Sequence, residues 1–236
     1  KMIEHKLPVI FNHTIPYRQA ALNLMGRSKD PLNLNGEAMD EDKVLKYALE
    51  SRRMVLANSI YHLRSWLAYI FCDYELASKM AEESKLVDTH WSVSSLPPFL
   101  RANHVFLDGL ISFALAQNTN EEKWRTLAIS ATKKFEGFVN HAPSNFKHKY
   151  LLLRAESEFL SRNIADAPMH YDAAIKTAGE NGFIQDQAIA YERAGVFHFS
   201  VGNSSLASQY YGKAHASYLT WGACCKAEHL CQHSPI

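Results

Sequence analysis

The run Cys224-Cys225-Lys226-Ala227-Glu228-His229-Leu230-Cys231-Gln232-His233 concentrates thiols and imidazoles, the ligands zinc prefers. Cys225, His229 and His233 follow at steps of four, so each adjacent pair could share one helix face. Finger and ribbon sites add a second ligand pair at a distance, and this chain has none. The run therefore reads as an amphipathic terminal helix with semi-buried cysteines, and no metal is expected. The chain holds 12 histidines, with His62, His104, His148, His170, His198 and His215 inside expected helices and no H-E-x-x-H frame. Acidic pairs such as Glu82-Glu83 and Glu121-Glu122 fall on solvated faces or first helical turns, and nothing selects a pair facing a cleft. There is no G-x-S-x-G elbow, no G-x-x-x-x-G-K-[ST] loop, no H-R-D loop and no D-F-G. The expectation is a segment with no catalytic residue and no cofactor.

The elements that would position such groups belong to a chain of 236 residues with 25 Lys+Arg, 24 Asp+Glu, 10 Gly and 8 Pro. Its composition is that of a globular protein, which excludes disordered and collagen-like chains. The balanced charge argues against a nucleic-acid footprint. Cys72, Cys224, Cys225 and Cys231 form no disulfide framework, so a reducing, cytoplasmic setting is expected. No apolar stretch approaches 18 residues, since Asp108 and Gly109 interrupt the run His104 to Ala116. Lys1 to Lys6 lead into no apolar signal region, and a first residue Lys suggests a segment of a longer chain.

Helical spacing dominates. Leu56, Ile60, Leu63, Leu67 and Ile70 recur at steps of three and four, as do Ala207, Tyr211, Ala214, Tyr218 and Trp221. No run alternates with period two. The pattern predicts helices over about 7–25, 40–51, 53–71, 74–86, 98–117, 121–141, 146–161, 164–179, 183–201, 204–220 and 223–232. Breaks fall at Gly26 to Gly36, Asp88 to Pro98, Asn118 to Asn120, Pro143 to Asn145 and Asn181-Gly182. Pro168 conflicts with a helix starting at 164: either the helix starts nearer Asp166 or its first turn is distorted.

Three segments look alike: Cys72 to Ala77, Arg162 to Ala167 and Gly202 to Ala207. Each carries Asp or Asn at a cap position (Asp73, Asn163, Asn203) and Ala four residues on. The last two copies agree further at a spacing of forty. Leu151 matches Tyr191, Ala155 matches Gly195, Tyr171 matches Tyr211 and Ala174 matches Ala214. Small residues at crossings with aromatics between them are the packing logic of a tetratricopeptide-like helix pair. The expected fold is all-α, antiparallel helix pairs stacked as a tetratricopeptide-like superhelix. It forms a single array over 1–236, divisible into degenerate pairs (1–141) and clearer ones (142–236). Lys149, Glu156 and Phe159 on one helix, with Glu192, Val196 and Phe199 on the next, are the candidate lining of a partner groove. The Lys/Asn-rich clamp for a C-terminal carboxylate is not evident there.

The blocks Ala20 to Gly26, Gly36 to Glu41, Phe71 to Ala77, Ala142 to Tyr150, Glu180 to Phe183 and Tyr218 to Ala223 carry a family resemblance. The chain resembles the tetratricopeptide-like helical region of large multidomain signalling proteins. In that family the region follows an NTPase module, often with a Ser/Thr-kinase-like domain before it, and precedes GAF and histidine-kinase output domains. The resemblance implies a non-catalytic scaffold whose partners are proteins or neighbouring domains of the same chain. Pro168 and the Cys-rich tail depart from the family pattern. A free-standing peptide-binding repeat protein is the alternative, with a cryptic enzyme or metal protein behind it. Neither a membrane nor a nucleic acid is expected as a partner.

Overall fold

The computed structural model describes residues 8–88 and 97–235. These residues form eleven α-helices and no strand. The expected break over Asp88 to Pro98 and the Lys1 to Lys6 stretch fall largely or wholly outside the described residues. The chain divides into two compact units, Lys1–Pro97 and Pro98–Ile236. The boundary between these units lies at Pro97-Pro98. His141 ends a helix that packs against both of its sequence neighbours, so 141/142 is interior to the second unit.

The first unit holds α1 (Pro8–Leu24), α2 (Glu41–Glu50), α3 (Met54–Ile70) and α4 (Tyr74–Asp88). α3 is its hub, packing against α1, α2 and α4. Leu56, Ile60, Leu63, Leu67 and Ile70, the stripe the spacing anticipates, are all buried. The stretch from Met25 to Asp40 is a connection without helix, and its backbone groups need partners. Buried side chains of the flanking helices supply them. Asn23 donates to the carbonyls of Pro31 (3.1 Å) and Asn33 (2.7 Å). Gln19 accepts from the Ala38 amide and Glu41 from the Leu34 amide, each at 2.8 Å. Arg64 bridges Glu41 (2.8 Å) and Asn33 (2.9 Å).

The second unit holds α5 (Pro98–Thr119), α6 (Glu122–His141), α7 (Pro143–Leu160), α8 (Ala167–Glu180), α9 (Ile184–Ser200), α10 (Ser204–Trp221) and α11 (Cys224–His233). α5 with α6, α7 with α8, and α9 with α10 pack as hairpins. Each second helix also packs on the next first helix, and α7 contacts both α5 and α9. α5 is long and apolar enough to cross a membrane by length and composition, yet 61% of that window is buried inside the protein. Ala102, Leu107, Leu110, Ile111, Phe113 and Ala114 bury its faces in the core.

The small residues sit at the crossings. Ala77, Ala155, Ala167, Ala207 and Ala214 are all fully buried. A Cβ added at Gly195 would lie 3.0 Å from the Tyr211 ring, so α10 approaches α9 to the limit a glycine allows.

The turns recur regularly. Arg162, Gly182, Gly202 and Gly222, spaced by twenty residues, all take positive φ (57°, 75°, 81° and 90°). Each is followed by a residue whose amide reaches back to the last helical turn, as Asn163 does to Glu158 (2.9 Å) and Asn203 to His198 (2.8 Å). That is the Schellman closure, which favours Gly because any Cβ there is crowded. Arg162→Gly is therefore expected to stabilise the second unit by about 0.5–1 kcal/mol, read as a higher urea midpoint.

The caps differ between the similar segments. Asp73 and Asn203 accept the amides of Leu76 (3.0 Å) and Leu206 (3.2 Å). Asn163 does not cap. Its amide donates to Glu158 and Asp166, and α8 begins only at Ala167. Pro168 decides this, because in the first turn of a helix it costs no backbone hydrogen bond, whereas further in it would remove one.

Candidate functional site

The six candidate groove residues lie on α7 and α9, and they do not share one open surface. Phe199 is 39% exposed, whereas Lys149, Glu156 and Glu192 are buried. Phe159 and Val196 are half-buried, with the Phe159 ring edge-on to Phe197 at 5.3 Å.

Each buried charge meets an opposite charge on a neighbouring first helix. Lys149 of α7 reaches Asp186 of α9 at 3.0 Å, and its ammonium also lies 4.5 Å from the centre of the Phe106 ring. His148 bonds the other Asp186 oxygen at 2.9 Å through Nε2 and stacks on Phe183 at 4.4 Å. Two turns along, Glu156 receives both Nε and Nη2 of Arg193 at 2.8 Å each. The Tyr171 hydroxyl (2.7 Å) and the Gln117 amide (3.0 Å) also donate to Glu156, and Gln117 accepts from Arg193 in return. Glu192 of α9 accepts from the Tyr218 hydroxyl and from Lys226 of α11, both at 2.7 Å. A ladder of charged cross-links thus joins α7, α9 and α11, and the neutral Gln117 ties α5 to it.

In a low-dielectric interior such bonds are strong, but desolvation costs a comparable amount. Their result is register: a helix shifted by one residue would leave each charge buried without its partner. The sequence pattern gives no site role to Gln117, Asp186 or Arg193, and it reads Tyr171 and Tyr218 only as packing residues and Lys226 only as part of the Cys/His run. A signal for three of them exists in opposite charges at near-repeat separations. Lys149–Asp186 and Glu156–Arg193 are both 37 residues apart, and Glu192–Lys226 is 34.

Burial alone would raise the Asp186 carboxyl, but Lys149 and His148 outweigh it and hold Asp186 below the usual carboxylate range. A lowered folded-state value means the unfolded chain binds the proton more readily. This contribution is full above about pH 4 and is lost as pH falls through the folded value. In acid titrations of stability, Asp186→Asn is expected to flatten the profile below about pH 4 relative to the parent chain.

A second cluster ties α8, α9 and α10. The Tyr210 hydroxyl donates to Asp172 at 2.5 Å, and His198 stacks on Tyr210 at 5.0 Å. Burial and then the Asp172 bond push the Tyr210 phenol well above its ordinary value. Burial lowers the His198 imidazole, with Asp172 opposing.

The Cys/His run forms α11 as expected. All four cysteines of the chain are free thiols, Cys225 is half-buried, and His229 and His233 stack at 4.2 Å. Among the described residues no group of three or more His, Cys, Asp or Glu side chains converges where a metal could sit. In the first unit, an open depression of about 540 Å³ is lined by Arg27, Ser28, Lys29, Asp30, Asn33 and Asn35, of mixed charge.

Compared with family models, curated proteins and solved structures, the chain matches none of them. The class its described residues define is an all-α protein whose helices pack against one another.

Proposed function

We propose that this chain is a non-catalytic helical scaffold of tetratricopeptide-like architecture. It would hold protein or interdomain contacts between an NTPase module and an output kinase domain of a cytoplasmic, multidomain signalling protein. The observation that carries the reading is the recurrence of left-handed turns at Arg162, Gly182, Gly202 and Gly222. A turn every twenty residues makes a helix pair every forty, and pairs stacked on neighbours are how repeat arrays build extended binding surfaces. The hairpin packing of α5 to α10 and the charged ladder between first helices support the same reading. So do the sequence blocks that resemble the signalling family. With Lys149, Glu156 and Glu192 engaged in the ladder, the surface offered to a partner lies elsewhere on the array.

The test joins gene context to binding. The coding sequence on either side of this segment is read, and the purified chain is titrated calorimetrically against the flanking domains. A P-loop module on one side, a kinase-type domain on the other and measurable binding to at least one are expected. A coding frame with neither module, or domains that give no heat of binding, would overturn the proposal.

A further inference from the structure

α11 is the shortest helix of its unit, at 10 residues. Its apolar anchorage is slight: Ala227 and Leu230 are its buried apolar residues, with Ala223 buried at the N-cap before it, and two of the three are alanines. An alanine contributes little area to remove from water. Between them stands Lys226, which is 0% exposed and lies 2.7 Å from Glu192 of α9. One turn further on is half-buried His229, its ring stacked on His233. Docking of α11 therefore relies on a buried ammonium–carboxylate pair with an imidazole one turn away.

We propose that α11 is a proton-released strap. Protonation of His229 in mild acid adds a second cation beside Lys226, undocks α11, and uncovers the face of α9 and α10 that includes Glu192, Tyr211 and Tyr218. The groups around His229 support this sign. From α9 comes one carboxylate, Glu192, already engaged by Lys226 and the Tyr218 hydroxyl. α10 contributes Tyr218 and, near the Leu230 end, Tyr211 and His215, none of them negative at neutral pH. α11 itself contributes Lys226, His233, Cys225 and Glu228, with Glu228 exposed. Burial, then Lys226 and His233, push the His229 imidazole down to about 4, with Glu192 opposing. A lowered folded-state value for a base means the docked form prefers the neutral ring. The docked state is then fully favoured above about pH 6.5 and loses ground as pH falls toward the folded value. This inference does not depend on the scaffold reading.

Hydrogen exchange of the whole chain between about pH 7.5 and about pH 5, corrected for intrinsic rates, tests it. Protection over 224–233 is expected to fall roughly tenfold relative to amides of α5 and α7. His229→Asn and His229→Gln are expected to remove that pH dependence. An unchanged acid response in the His229 variants, or none in the parent chain, would overturn the proposal. Release already at neutral pH in both His229 variants would overturn it too, because His229 would then hold the helix rather than gate it.

Discussion

Glu156→Leu is expected to destabilise the second unit by about 3–5 kcal/mol. The substitution leaves Arg193, itself 5% exposed, without the carboxylate that takes its Nε and Nη2 at 2.8 Å. It also removes the bond that the fully buried Tyr171 hydroxyl donates to Glu156. Gln117 keeps one bond to Arg193 but brings no charge. The cost comes from burying a cation unbalanced, so it should shrink when the cation is removed as well. Glu156→Leu combined with Arg193→Met is expected to recover most of the loss, because hydrophobic replacement of a whole buried pair is often neutral. Urea unfolding followed at Trp124 or Trp221, both in this unit, checks each variant and yields the coupling energy. Because the chain has two compact units, the probe must report the unit that carries the substitution. A double variant as unstable as the single one would show that Glu156 acts through Tyr171 and packing rather than through charge.

Gly109→Val is expected to cost about 3 kcal/mol in the same unit. A Cβ at Gly109 would lie 2.8 Å from Leu153 Cδ2 of α7 and 3.3 Å from Ala131 Cβ of α6. Leu153 is fully buried and Ala131 nearly so, so neither has open space into which to retreat. Three helices meet at this point, and a branched side chain must push at least one of them away. Gly137 is the control. Its added Cβ meets nothing within 4 Å, so Gly137→Ala is expected to gain about 1 kcal/mol from helix propensity alone. Thermal melts of the two variants should move in opposite directions from the parent. A Gly109→Val chain as stable as the parent would mean that α5, α6 and α7 can slide apart cheaply.

How much of this was legible beforehand varies element by element, for physical reasons. The stripe Leu56, Ile60, Leu67 reads directly, because a 3.6-residue period reports burial whatever the neighbour is. Ala167, Ala207 and Ala214 read directly too, since a small residue at a crossing has little else to do. The start of α8 is harder. Asn163 and Pro168 give conflicting local signals, and the conflict resolves only when Pro168 takes its place in the first turn. The loop over 25–40 shows its turn residues plainly. Nothing in its own composition says that Gln19, Asn23, Glu41 and Arg64 fix it from within.

The candidate groove marks the limit most sharply. Spacing places Lys149, Glu156 and Glu192 on faces of α7 and α9, and a charge on a helix face usually meets water. Here each meets an opposite charge from a helix 34 to 37 residues away. By itself, then, the sequence determines an all-α chain, the positions of its helices to within a few residues, and a forty-residue likeness near its end. These are local properties, set by periodicity, caps and turn chemistry within a few residues of each other. The tertiary structure alone decides which helix faces which, and hence that these charges form buried cross-links. It also decides that the Cys/His run lies along a short helix held by Lys226. Both depend on where residues distant in sequence come to rest, and no local energy term contains that.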